Sequence, residues 1–241
     1  MNLAAALLVA YWSGGAGPCP ACGAALDAWA GAMAAALGSI GLGDAPPGGV
    51  RVGLTRHASV EARLQAAPGG VGWGGAAAWA LTGGASPAPG LAGVGAVDLL
   101  GAVGRGPQGE GVAVGLRLHL VRESLLAPGL AVGALGRWVR AQTPAGRGAV
   151  ADVAWRLDVQ RSWGGWAVAA GAEWGAGHGR WRALDSLATS SRPRGRAAAL
   201  AVLAPPWRFV RPWGQAGVRQ LRVADRRAVA AWLGLGLRLA L

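Results

Sequence analysis

Residues 229–241, VAAWLGLGLRLAL, place Val229, Ala231, Leu233, Leu235, Leu237, Leu239 and Leu241 at every second position. Successive side chains of an extended chain point to opposite faces, so this repeat predicts a strand with one unbroken apolar face. The intervening positions hold Trp232, Gly234, Gly236 and Arg238, a face of small residues, one ring and one charge.

The same period opens the region that this strand closes. Val50, Val52, Leu54, Ala58, Val60, Ala62 and Leu64 are apolar, while Arg51, Thr55, His57, Ser59, Glu61, Arg63 and Gln65 are polar. Arg56 falls on the apolar parity and marks a bulge, a rim or a snorkelling side chain. The pattern returns at Val112–Leu120 around Gly115, Arg117 and His119, and at Val153–Val159 around Asp152, Arg156, Asp158 and Gln160. It returns again at Trp166–Trp174 around Gly171, Glu173 and Gly175. Weaker strands are predicted over 71–82, 91–103, 129–140, 196–203 and 209–222, for about ten strands, an even number within the range of transmembrane barrels. Pro212 lacks an N–H to give to a neighbour, which places it at a rim or a bulge.

Composition alone, with 43 Gly, 13 Trp and no Lys among 241 residues, also admits a chain with no selected fold. The recurring phase argues against that reading. A net charge of +12 raises nucleic-acid binding, but the arginines recur singly rather than as one stripe, and no aromatic-basic motif accompanies them. No nucleic-acid partner is expected.

Two regions follow. Residues 1–49 read as a leader and appendage: an apolar run from Leu3 to Trp12, small residues Ser13 to Gly17, a helical spacing over Ala24–Leu42 (Leu26, Trp29, Met33, Leu37), and a Pro/Gly linker from Asp44 to Gly49. No basic residue precedes the apolar run. Cys19 and Cys22 form a C-x-x-C that suits a redox pair or half a zinc site. With no second cysteine pair, a structural disulfide or a pair lost with the leader is the favoured reading. Residues 50–241 carry the strands.

On this alternation and on the terminal strand, the chain from Val50 to Leu241 resembles a small bacterial outer-membrane β-barrel protein. The resemblance implies an all-β fold: a closed antiparallel transmembrane barrel of about ten strands with a short amino-terminal helical or leader segment. It also implies an outer-membrane location, with membrane lipid and the barrel-assembly machinery as partners. Barrels of this type commonly end in an aromatic residue, where this chain has Leu241. Trp73, Trp79, Trp138, Trp166, Trp174 and Trp181 lie where interfacial girdles are expected, and Trp213 and Trp232 have inward parity. With the first strand starting in the periplasm, Ser162–Gly165 and Ala204–Trp207 are short periplasmic turns. Gly83–Gly90 is then a longer periplasmic loop, and Gly177–Arg194 the longest extracellular one.

Candidate chemistry is sparse. His57, Ser59 and Glu61 share one face, and a Ser-His-acid set at a rim would suit a lipid-directed acyl hydrolase. The bland reading, inward polar residues of any barrel, is favoured. Arg51, Glu61, Arg63, Arg117, His119, Asp152, Arg156, Asp158 and Glu173 form the expected polar network of the lumen, because charges inside a narrow barrel must be paired or hydrated. His178 with Asp185 is a weak metal pair. Gly164-Gly165 and Gly234-x-Gly236 lack the helix and lysine of a phosphate loop. The charge-free stretch Ala66–Val97 is too broken by Pro and Gly for a helical span. No cofactor and no metal are expected. The function that follows is a structural, narrow-channel or surface-binding envelope barrel. The alternatives are a lipid hydrolase and a soluble secreted β-barrel or sandwich.

Overall fold

A computed structural model of the chain describes residues 58–68, 70–81, 96–121, 123, 125–143, 146–183, 187–223 and 226–240, together with Ala30, Gly31, Met33 and Ala34. Those four are helical, within the helix expected over 24–42. The leader, Cys19, Cys22, the linker, Arg51, Arg56, His57, the loop 83–90, Asp185 and Leu241 lie outside the described residues.

The strands are β1 (Ala58–Ala67), β2 (Gly70–Ala80), β3 (Ala96–Gly106), β4 (Gly109–Val121), β5 (Gly129–Thr143), β6 (Gly146–Trp163), β7 (Trp166–Ala183), β8 (Leu187–Ser191), β9 (Arg194–Leu203), β10 (Val210–Val223) and β11 (Arg226–Ala240). Each pairs antiparallel with its neighbours. β8 and β9 share β7 as partner in one register, Gly179 facing Ser191 and Ala176 facing Arg194, so they are two halves of one stave interrupted at Arg192-Pro193. The sheet therefore has ten staves. It closes where β1 meets β11, from Ser59 opposite Ala240 to Ala66 opposite Leu233. A closed sheet leaves no row of unpaired backbone groups, which is what crossing a lipid bilayer with strands requires.

The five weaker predicted strands are all present, with ends shifted by a few residues. The expected loop over 177–194 is corrected: it is strand and hairpin, with β7 running to Ala183 and returning as β8. Its alternating Gly, His and Arg carry no apolar face and so read as loop. Outside a membrane, however, a hairpin can be polar on both sides and still keep its ladder. Pro212 sits at a rim, one residue below the first β9–β10 pair, Trp213 with Leu203. The turn between β6 and β7 is Gly164-Gly165 with φ of 54° and 86°. Positive φ at both central residues is the geometry of a tight hairpin that glycine adopts without strain.

Polarity is inverted relative to a soluble barrel. Outward positions hold exposed Leu233, Leu235, Leu237 and Leu239 on β11, Val60 and Leu64 on β1, and Val112, Val114 and Leu116 on β4. Inward positions bury Glu61, Arg63, Asp98, Arg117, Arg156, Glu173 and Arg219. An apolar skin this continuous far exceeds what a monomer keeps in water. Trp163 faces Trp166, and eight residues along each strand Trp155 faces Trp174. At a strand tilt of about 40° the two pairs stand roughly 20 Å apart along the barrel, close to the ~25 Å apolar band of such barrels. Trp73, Trp79, Trp138, Trp166 and Trp174 are all exposed, whereas Trp213 and Trp232 are buried at 3% and 2% exposure. Trp181 lies in β7.

Candidate functional site: the charged lumen

Because alternate residues of every strand face inward, the lumen is filled by side chains whose partners are set by strand register. Glu61 on β1 lies directly opposite Arg238 on β11. Its Oε2 accepts from Arg238 Nη2 at 2.9 Å and Nε at 3.2 Å, and Arg63 Nη1 stands 3.7 Å from its other oxygen. Asp98 on β3 faces Arg117 on β4 and accepts from Arg117 Nη2 at 2.8 Å, with His119 Nε2 also at 2.8 Å. Arg137 on β5 faces Asp152 on β6 and donates through Nε at 2.8 Å.

Glu173 joins three strands. It accepts from Arg137, two strands away on β5, and its Oε1 stands 3.3 Å from Arg219 Nη2 on β10. The inward residues Ala197 and Ala199 of β9, the strand between, are short, and leave room for Arg219 to reach across. Arg156 donates through Nε to Asp158 at 2.6 Å along the same strand. Among the described residues, six buried arginines (63, 117, 137, 156, 219, 238) thus meet five carboxylates (61, 98, 152, 158, 173), which nearly balances their charge.

Glycine makes this packing possible. A Cβ on Gly171 would lie 2.8 Å from Asp158 Oδ1, and one on Gly74 would lie 2.8 Å from the Val103 carbonyl oxygen and 3.4 Å from Arg63 Nε. Gly234 and Gly236 have the same role, which accounts for the motif that lacked a phosphate-loop context. Trp213 on β10 lies over Gly236 on β11, and Trp232 on β11 lies over Gly217 on β10. Gln215 lies over Gly234 between them. Toward the end of the barrel that carries the β9–β10 connection, Ala167, Ala169, Ala201, Leu203 and Trp213 form an apolar cluster. What remains beside Ser59, Glu61, Arg117, Arg156, Asp158 and Arg238 is a cavity of about 60 Å³, room for a few waters.

Of the three residues that could form a hydrolase, His57 lies outside the described residues. Ser59 and Glu61 are inward neighbours on β1 and buried, but the Glu61 carboxylate is held by Arg238 and Arg63. His178 projects to the outer, exposed side of β7, away from the lumen. Among the described residues no three His, Cys, Asp or Glu side chains are grouped as a metal site would need. Sequence reasoning missed Asp98, Arg137, Arg219 and Arg238 as members of the network. Each lay on the inward parity of a predicted strand, so the signal was present. Glu123, in the β4–β5 connection, also went unnoticed; it accepts from Ser162 Oγ at 3.0 Å and ties that connection to β6.

No family model matches the chain, and no curated protein matches it in sequence. Among solved structures it is similar to Neisserial surface protein A, at 10% identity and a TM-score of 0.36, covering 77% of this chain and 96% of that one. It is similar to the β domain of the Bordetella autotransporter BrkA at 13% identity and a TM-score of 0.40, covering 77% and 99%. It is also similar to the outer-membrane protease OmpT of Escherichia coli at 8% identity and a TM-score of 0.41, covering 77% and 94%. The barrel and its inverted polarity follow from the chain's own strand pairing and burial.

Proposed function

We propose that the chain is a structural barrel of the bacterial outer membrane, sealed by its own side chains rather than open as a pore. One observation carries this reading: among the described residues an exposed apolar exterior encloses an interior of buried, paired charges, which leave a cavity of about 60 Å³ beside Ser59, Glu61 and Arg238. An apolar exterior needs lipid, since each fully exposed Leu or Val forgoes about 1.5–3 kcal/mol in water. Paired charges in a lumen this narrow stabilise closure, and solute passage would require several ion pairs to part together.

The test is refolding into detergent and into lipid bilayers. A membrane barrel migrates faster before boiling than after, and fractionates with the outer membrane. In planar bilayers the sealed barrel gives no stable open-pore conductance. Recovery in the soluble periplasmic fraction without heat-modifiable migration would sink the membrane reading, and a steady ohmic pore would sink the sealed one.

A further inference from the structure

Among the described residues the charges of the lumen nearly balance, yet the chain carries a net charge of +12. Much of the excess stands on the outer face, at the end of the barrel where β7 turns into β8. There Arg194 on β9 lies directly opposite Arg222 on β10, and Arg222 directly opposite Arg227 on β11. All three are exposed and outward, as is Arg196, which faces Trp174 across β7–β9. Neighbouring strands are about 4.8 Å apart, so three guanidinium groups rise from a stretch of roughly 10 Å.

Like charges directly opposite one another weaken a sheet. Among the described residues no carboxylate pairs with Arg194, Arg196 or Arg227. Arg194, Arg196 and Arg227 therefore suit an anion from outside the chain, with Arg222, which has an interaction of its own, standing between Arg194 and Arg227. The surroundings say which kind. The arginines begin where the Trp155–Trp174 pair ends, and Trp155, Trp174, Arg194, Arg196, Arg222 and Arg227 line one outer groove of about 510 Å³. Indole rings settle at the membrane–water interface, and a groove there meets lipid headgroups before anything else. Guanidinium groups bind phosphate oxygens in paired hydrogen bonds, which ammonium groups do not. The opposite rim differs: Arg161 donates to the Leu125 carbonyl, and Arg211 to those of Ala204 and Gly165.

We propose that the Arg194–Arg222–Arg227 row, with Arg196 and Trp174 beside it, is a binding site for the phosphate groups of an anionic lipid headgroup. The proposal rests on the membrane reading above. It is tested with the full chain reconstituted in phosphatidylcholine nanodiscs, titrated with phosphorylated lipid A and, separately, with its dephosphorylated form, and read by native mass spectrometry. The expected result is retention of the phosphorylated lipid only. Replacing all three arginines of the row by Gln should weaken that retention about a hundredfold, on the order of fivefold for each arginine. The single variant Arg227→Gln gives a milder loss should the triple variant fold poorly, and Arg161→Gln at the other rim should change nothing. Equal retention of both lipids, full retention by both the triple variant and Arg227→Gln, or equal displacement by inorganic phosphate overturns the site. Failure to insert into nanodiscs overturns the membrane reading and the site with it. Insertion without phosphate preference overturns the site alone.

Discussion

At the scale of single residues, Glu173 is the most connected carboxylate of the interior. Replacing it with Gln leaves Arg137 and Arg219 converging without their shared charge. Breaking a buried pair from one side costs about 3–5 kcal/mol, so Glu173→Gln should lower the urea midpoint of the refolded barrel markedly, whereas Glu110→Gln on the outer face should not. Gly217 is the matching test of packing. A side chain there meets the Trp232 ring at 2.4 Å from its Cβ, and Gly217→Val should cost roughly 1–3 kcal/mol through overpacking, read in the same titration. Much of this was legible in the sequence as parity. The inward placement of Glu61, Arg117, Asp158, Glu173, Trp213 and Trp232 follows from counting in twos. Which carboxylate meets which arginine was not legible, because partners come from register between strands distant in sequence, as with Glu61 and Arg238.

At the scale of elements, β11 carries its leucines through the apolar band and its charge at both inner and outer edges. Leu235→Arg, outward near the middle of the strand, should cost about 2–4 kcal/mol in a bilayer, while Val229→Arg, near the basic rim, should cost far less. Folding titrations in lipid vesicles distinguish the two positions. The elements with an apolar face were legible from their period, including the weaker ones. The β7–β8 hairpin was not, since its outward His178 and Arg180 lie past the tryptophans, where lipid no longer selects for apolar residues. Composition marks a strand in this fold only where the membrane touches it.

At the scale of the whole molecule, tryptophan itself reports the arrangement. Lipids brominated near the headgroup should quench the exposed Trp73, Trp79, Trp155 and Trp174 strongly. Trp213→Phe and Trp232→Phe should leave the quenched fraction nearly intact, because neither ring reaches lipid. A chain in which removal of those two abolished most of the quenching would have its faces reversed.

The reciprocal stacking of Trp213 on Gly236 and Trp232 on Gly217 also acts as a detent on the last hairpin. Slipping β11 by two residues one way sets Trp213 against Arg238 and Trp232 against Arg219; slipping it the other way sets Trp232 against Gln215. A slip of one turns the leucines inward. Only one alignment gives each ring an empty seat, so these two pairs fix the register of the hairpin whose second strand forms the seam with β1.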